Sequence, residues 1–202
     1  MTDLTLDDLD RLYGQPHPAT KAKSLDHVDA WGRRFLALSP FCVISAAGPD
    51  GSMDVSPRGG EPGFVHVEDD RTVMLPDRPG NNRLDTLRNL VGGSGRIGMM
   101  FVIPGFDDIY RINGSARLSD DQALLDRFVE FGRKPRAMVI IAVEEAFLHC
   151  PKAIMRARLW EQDAQVERST LPSLSEMVMD QLGMGKPKFD ESAVIESYKQ
   201  QL

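Results

Sequence analysis

Short apolar and alternating segments joined by tight turns fill the chain between residues 41 and 147, and they restrict the possible folds more than any other feature. The turns are explicit: G-P-D-G at 48–51 is a strong hairpin signal, and Asp69-Asp70 marks a second hairpin. Only two helix-like segments interrupt the series. We therefore predict at least six strands in a small antiparallel barrel rather than a parallel βαβ sheet. The predicted strands are 41–47, 53–56, 64–67, 72–75, 96–105, 109–118 and 137–147.

Helices are predicted on both sides of the barrel and at the two interruptions. Apolar periodicity over 4–13 indicates a short helix. Ser24 is predicted to cap a longer helix that ends before Pro40, with Trp31 on its apolar face and therefore in the core. The other predicted helices are 82–91, 120–131, 173–182 and 190–202.

Length and charge limit the classes of protein that fit. At 202 residues the chain can form one barrel domain with extensions, which we divide into a helical segment packing on the barrel (1–40), the barrel (41–160) and a helical extension (161–202). The net charge of −6 argues against a general nucleic-acid binder. Neither a membrane-length apolar run nor a secretion leader is visible, so we expect a cytoplasmic protein without a membrane span.

The sequence offers no metal or nucleophile motif. The histidines share no ligand spacing with one another or with cysteines, so no metal site is predicted. No G-x-S-x-G motif is present. Cys42 and Cys150 lie far apart in apparently apolar strands; a disulfide between them stays open, but buried free thiols in a reducing cytosol are the preferred interpretation.

A cluster of arginines around the predicted helix at 82–91 indicates an anion site. The helix follows P-G-N-N-R, in which Asn82 is a candidate N-cap and Arg83 lies in the first turn. A cation at the positive end of a helix is unfavourable unless an anion meets it. Phosphate is the usual anion at such a position, so we expect a phosphate group near Arg83.

Five motifs, taken in order, resemble those of the pyridoxamine 5′-phosphate oxidase-related, FMN-binding split-barrel proteins, and in particular their uncharacterised bacterial branch. The resemblance covers about residues 25 to 200, and its specificity lies in the order and spacing of the motifs rather than in any one of them. The motifs are S-P-R-G (56–59), L-P-D-R-P-G-N-N-R-L-D-T-L-R-N-L (75–90), R-I-G-M-M-F-V-I-P-G (96–105), R-I-N-G-S-A-R-L (111–118) and H-C-P-K-A-I-M-R-A-R-L-W (149–160).

The resemblance implies a six-stranded antiparallel Greek-key split barrel that pairs as a homodimer, with one FMN in each of two clefts along the interface. It places Arg58 and Arg83 at the FMN phosphate, with Asn82 beside them. Ser56 and Thr86 could donate to the same phosphate, although Thr86 could equally be a helix-surface residue.

The resemblance also implies positions beside the flavin ring. The strand around Ser56 and the strand containing Leu75 and Pro76 would offer backbone groups to the ring, and Gly59 would either permit close approach or form a turn. Arg111, Lys152 and Arg156 are candidates for the positive partner of reduced flavin. Trp160 is either a dimer anchor or a flavin neighbour.

The implied function is an FMN-dependent oxidoreductase with a small-molecule substrate that the sequence does not specify. Two alternatives stay open: a reductase that uses a deazaflavin in the same barrel, and a flavin or haem carrier or sensor without turnover. The acidic end of the chain lacks the Trp-, Gln-, Arg- and His-rich segment of the true oxidases, so turnover of pyridoxamine 5′-phosphate is not expected.

Overall fold

The computed structural model describes residues 3–130, 132–185 and 191–200. A single antiparallel sheet dominates it, with the strand order β2-β1-β5-β6-β7-β4-β3. The strands are β1 (Phe41–Ala47), β2 (Met53–Gly59), β3 (His66–Val67), β4 (Thr72–Asp77), β5 (Arg96–Val102), β6 (Ile109–Ser119) and β7 (Ala137–His149).

The sheet curls into a split barrel. In the ladder, β2 and β4 are separated by four other strands, yet Arg58 Nη1 on β2 lies 3.4 Å from Asp77 Oδ1 on β4. A flat sheet could not bring these two side chains together, because neighbouring strands are about 4.8 Å apart. The antiparallel split barrel is thus confirmed. The sheet has seven strands rather than the six that the resemblance implies, because the two-residue β3 pairs with β4 at the edge of the sheet.

The barrel interior follows from alternating burial, which is clearest in β1. In β1, Cys42, Ile44 and Ala46 are buried, and the intervening side chains face outward. The same pattern in β5 and β6 adds Phe101 and Ile112, both fully buried, to one continuous apolar core. Burial of these side chains is the main favourable term for the fold, at about 1.5–3 kcal/mol for each large one.

Two helices pack on the sheet: α3 on β3, β6 and β7, and α4 on β1, β2 and β6. The α-helices are α1 (Leu6–Tyr13), α2 (Pro18–Ala22), α3 (Ala30–Leu38), α4 (Asp85–Gly92), α5 (Gln122–Asp126), α6 (Lys152–Ala157), α7 (Leu174–Gln181) and α8 (Glu191–Lys199). Short 3-10 turns follow α6 at Gln162–Ala164 and Arg168–Thr170. None of the described helices is long and apolar enough to cross a membrane.

The prediction for the helix before the barrel is wrong at its start. The helix begins at Ala30, where the Asp29 carboxylate accepts a hydrogen bond from the Gly32 N–H at 2.8 Å. Ser24 does not cap it, since its hydroxyl donates to Glu145 at 2.8 Å and the following residue forms a β-bridge to β7. The helix buries Gly32, Phe35 and Leu36, and Trp31 is 66% exposed instead of lying in the core.

Three other predictions need correction or lie outside the described ranges. The helix expected at 120–131 covers only Gln122–Asp126, capped by Asp121; Phe131 is not among the described residues. The last helix agrees in position, but residues 190, 201 and 202 are likewise outside the description. Both cysteines are free, and only Cys42 is buried, because Cys150 follows the end of β7. Burial raises the pKa of the Cys42 thiol to about 12.

A close approach between α3 and the sheet depends on Gly32. A Cβ atom at this position would lie 2.2 Å from the Tyr110 hydroxyl oxygen and 2.5 Å from the ring carbon that carries it. Tyr110 is 1% exposed and stacks on Phe35 with the ring centroids 5.9 Å apart. Its hydroxyl has no hydrogen-bond partner among the described residues.

We predict that Gly32→Ala lowers the free energy of unfolding by about 1–3 kcal/mol, because overpacking against a fixed ring outweighs the gain in helix propensity of ~1 kcal/mol. Tyr110→Phe should leave stability unchanged or raise it, since no hydrogen bond is lost. Urea unfolding of the two single variants and the double variant tests this. Gly32→Ala should cost less in the Tyr110→Phe background, where the shortest contact is gone; an equal cost in both backgrounds would contradict the packing argument.

Candidate functional site

A cleft of about 570 Å³ lies at the split between β2 and β4. Its volume is in the range of small-molecule sites. Its walls are the inward face of β2, the end of β4, the 78–84 loop, the start of α4 and the residues that enter β7. The lining residues are Asp54, Ser56, Arg58, Asp77, Arg78, Pro79, Gly80, Asn81, Asn82, Arg83, Leu84, Asp85, Thr86, Leu87, Arg136 and Ala137.

β2 supplies polar side chains to this cleft because it is an edge of the sheet. Asp54, Ser56 and Arg58 are half-buried and share the inward face with buried residues of β1, while Met53 and Val55 point outward and are 66% exposed. A strand with polar residues on its inward face would be unfavourable inside a closed barrel. At the split, these groups line an open cleft instead.

Arg58 is the most constrained cation of the cleft. Its side chain is 25% exposed and its Nη1 donates to Asp77 Oδ1 at 3.4 Å. Its Nε is buried and has no hydrogen-bond partner in the described part of the chain. A buried guanidinium N–H without an acceptor is costly, so this atom identifies a position where a ligand acceptor would be stabilising.

Asp77 and Arg136 complete the wall opposite β2, and the sequence analysis missed both. Asp77 is buried, and this burial raises the pKa of its carboxyl group although the charges of Arg58 and Arg136 oppose the rise. Arg136 donates from Nη1 to Asn82 Oδ1 at 3.1 Å and from its backbone N–H to the Asp77 carbonyl at 3.1 Å. The basic run R-K-P-R at 133–136 was the available signal, but only the fold shows that it ends at the cleft.

The helix at the cleft begins three residues later than predicted. It starts at Asp85, and its N-cap position is Leu84, with a left-handed φ of 61° and no side-chain cap. Asn82 is therefore not the cap; it also has a left-handed φ, of 57°, and its side chain accepts from Arg136. The first N–H groups of α4 consequently lack a capping side chain, a feature that favours an external anion.

Two of the predicted phosphate residues already have partners within the chain. Arg83 is 78% exposed and pairs with the Asp85 carboxylate through Nε. The Thr86 hydroxyl donates to the Asp54 carboxylate, and Thr86 is only 2% exposed, so it is not a helix-surface residue. The Thr86–Asp54 bond joins α4 to β2 and fixes the width of the cleft.

Arg78 lines the cleft but holds the neighbouring loop. Its guanidinium donates to the carbonyls of Phe128 and Arg133 at 3.1 and 3.2 Å and pairs with Glu130 at 2.6 Å. Because these three contacts occupy its guanidinium group, Arg78 has a structural role at the turn.

The remaining predicted site residues lie outside the cleft. Leu75 is 2% exposed in the core, Pro76 is buried beside it, and Gly59 ends β2. Arg111 lies on the outer face of the sheet, 5.1 Å from the centroid of the Phe147 ring. Lys152 opens α6 and is exposed, and Trp160 donates from Nε1 to the Phe106 carbonyl at 2.8 Å. Their cofactor contacts stay predictions.

A metal site is not formed by the described residues, among which no group of three or more histidine, cysteine or acidic side chains is close enough to share an ion.

Comparison with known families identifies the fold. The family model described as pyridoxamine 5′-phosphate oxidase matches residues 31–150, which is more than half of the chain and includes every strand. The chain belongs to the pyridoxamine 5′-phosphate oxidase family. This agrees with the resemblance seen in the sequence motifs and with the split barrel. No protein of curated function matches the sequence.

Several solved structures share part of the fold at low identity. A variant of HupZ from Group A Streptococcus has a TM-score of 0.49 at 19% identity, covering 60% of this chain and 99% of that one. A Clostridium acetobutylicum protein related to general stress protein 26 has a TM-score of 0.43 at 12% identity, with 57% and 83% covered. The FAD binding protein from Mycobacterium smegmatis has 0.42 at 13%, with 62% and 97% covered. Likeness at this level carries no argument about ligand or reaction.

We predict that Asp77→Asn becomes increasingly stabilising, relative to wild type, as the pH rises from about 3 to 7 without ligand. The pKa of Asp77 in the folded protein lies above its ordinary value of 3.8, so the protonated carboxyl group favours folding and its ionisation opposes folding. The contribution of the protonated form to the free energy of unfolding is therefore lost as the pH rises through the folded pKa. Because the asparagine side chain is neutral at every pH in this range, the variant does not lose stability in this way. The measurement is urea unfolding at several pH values.

Asp50→Asn is the matched control, with the opposite sign. Hydrogen bonds from Ser52 lower the pKa of Asp50, so its contribution is present above pH 3.8 and lost as the pH falls. Asp50→Asn should therefore become more destabilising, relative to wild type, as the pH rises. A pH-independent difference for Asp77→Asn would show that burial does not control this carboxylate.

Proposed function

We propose that the cleft between β2 and β4 binds FMN by its phosphate and that the protein is a cytoplasmic, homodimeric FMN-dependent oxidoreductase. The observation that carries the proposal is the buried Arg58 Nε, a guanidinium donor without an acceptor among the described residues that form the cleft. Membership of a flavin-binding split-barrel family supplies the class of ligand.

The residues at the cleft fit a phosphate group. Arg58 would donate through its unused N–H, Ser56 lies two residues earlier on the same face, and the uncapped start of α4 offers backbone N–H groups. Arg83 is exposed enough to exchange its bond to Asp85 for a phosphate oxygen, with Asn82 beside it. Charge-assisted hydrogen bonds of this kind contribute about 1.5–3 kcal/mol each.

The chemistry that FMN supplies when bound is hydride transfer through N5, while the protein orients the ring, excludes water and provides charge near it. We assign the backbone of Leu75 and Pro76, together with Gly59, to the ring side of the site. Arg111 and Lys152 are the proposed cations beside the ring. Reduced flavin is anionic near N1, so a positive neighbour would favour reduction.

The homodimer proposal rests on an apolar patch on the outer face of the sheet. Phe41, Met53, Val55 and Met100 are 38%, 66%, 66% and 37% exposed, and the strand register places them on one face of β2, β1 and β5. Contiguous exposed apolar side chains of this kind mark interaction surfaces. Arg111 is opposite Met100 in the register, so a second copy packed here would bring Arg111 to the interface. We assign Trp160 to the same interface, as an anchor of the dimer or as a neighbour of the flavin.

We predict that Arg58→Ala and Arg83→Ala each weaken FMN binding about ten- to hundredfold by removing one charged hydrogen bond to phosphate. Riboflavin, which lacks the phosphate, should bind all forms about equally. Fluorescence titration with both ligands is the measurement, with the exposed Arg117→Ala as the matched charge control. Equal losses for FMN and riboflavin would move these arginines away from the phosphate.

The absorbance spectrum of the freshly purified protein tests the choice of cofactor at the same time. Oxidised FMN gives the bands that we expect. Deazaflavin or haem bands would replace this proposal by one of the other two functions, and bound FMN without reduction by any donor would favour a carrier or sensor.

We predict a dimer at micromolar concentration and a monomer for Val55→Glu, because a charge at the centre of a desolvated patch is costly to bury. Light scattering should give about twice the chain mass of 22.5 kDa for wild type and the chain mass for the variant. Leu171→Glu, at an exposed apolar residue outside the patch, is the control and should stay dimeric. A monomeric wild type with FMN bound would refute the dimer.

A further inference from the structure

The charges of the cleft are nearly balanced before any ligand enters. Arg78 is committed to Glu130 outside the cleft, which leaves three arginines and three carboxylates among the lining residues. The arginines are Arg58, Arg83 and Arg136, and the carboxylates are Asp54, Asp77 and Asp85. A phosphate dianion that binds here adds two negative charges to a site of about zero net charge, so some negative charge has to leave or be neutralised.

The three carboxylates differ in how freely they can respond. Asp85 has a side chain 40% exposed and can turn to solvent when Arg83 releases it. Asp54 is held by the hydroxyl of Thr86. Asp77 lies in the ladder of β4 with β7, opposite Ala137, and its side chain is 10% exposed, so it can neither move away nor be screened by water.

Asp77 also interacts electrostatically with both arginines that would bind a phosphate in the cleft. Arg58 Nη1 is 3.4 Å from its carboxylate, and the charge of Arg136, whose backbone N–H bonds the Asp77 carbonyl, acts on the same carboxyl group. A phosphate within hydrogen-bond distance of the Arg58 guanidinium is therefore within a few ångströms of Asp77. Two anions at that separation in a partly desolvated site cannot both keep their full charge without a large cost.

We propose that Arg58 and Arg136 together clamp the phosphate and that Asp77 takes up a proton from solvent when the phosphate binds. The inference rests on the proposed function and extends it, making Arg136 a phosphate ligand and cofactor binding pH-dependent. Protonation turns the Asp77 carboxyl into a donor toward phosphate and releases both arginines from their internal counterion. The other charged groups that line the cleft are Asp54, Arg78, Arg83 and Asp85, and the thiol of Cys42 interacts with Arg58.

Isothermal titration of FMN in buffers with different ionisation enthalpies tests the proton uptake. Between about pH 5.5 and 7.5, wild type should take up more protons per FMN than Asp77→Asn. Phosphate itself titrates near pH 6, but this contribution is the same for both proteins, so the difference between them measures the proton that Asp77 takes up. At pH 7.5 Asp77→Asn should bind FMN about tenfold more tightly, since one like-charge contact is removed. Asp120→Asn, at an exposed carboxylate outside the cleft, should match wild type.

The clamp is tested by Arg136→Ala and Arg136→Gln, which should weaken FMN binding about ten- to hundredfold and leave riboflavin binding unchanged. Unchanged riboflavin binding also shows that the variants are folded. Equal proton uptake by wild type and Asp77→Asn, or wild-type FMN affinity in both Arg136 variants, overturns this inference alone. If wild type itself does not prefer FMN to riboflavin, the proposed function fails, and the inference fails with it.

Discussion

The ion pair between Arg58 and Asp77 joins the two strands whose separation defines the split of the barrel. Because β2 and β4 do not share a ladder, this contact depends on the curl of all the strands between them. It also concentrates charge where the core is open, and it leaves one buried guanidinium N–H without an acceptor among the described residues. The site is thus a consequence of the architecture: a sheet that curls without closing has one inward-facing edge that can be polar.

Helix α4 determines the shape of this opening. It packs across β1 and β2 through Thr86, Leu87 and Leu90, and the Thr86–Asp54 bond fixes it to the edge strand. The left-handed residues before it, Asn82 and Leu84, cost free energy that the packing of α4 has to offset, since non-glycine residues rarely adopt this conformation. Backbone strain at the entrance to a helix without a capping side chain is a common feature of ligand sites.

The sequence predicted what depends on local pattern and missed what depends on distant contact. The apolar run of β1 and the G-P-D-G turn predicted a strand and a hairpin, and both were correct. The P-G-N-N-R signature suggested a conventional N-cap at Asn82, but a tertiary contact with Arg136 engages that side chain. Arg136 and Asp77 could not be found from spacing, because they meet only when β4 pairs with β7. The prediction for Trp31 was wrong because Leu25 and Val28, which belong to the predicted apolar face, precede the helix, and the residues that α3 buries are Gly32, Phe35 and Leu36.

The central claim is that the phosphate of a flavin nucleotide binds at the split of the barrel, against the free Arg58 N–H. A crystal structure of the protein grown with FMN tests it most directly. The account predicts phosphate oxygens within hydrogen-bond distance, about 2.7–3.2 Å, of the Arg58 guanidinium and of an N–H group at the start of α4. An FMN whose phosphate lies elsewhere, with Arg58 still bound only to Asp77, would contradict it.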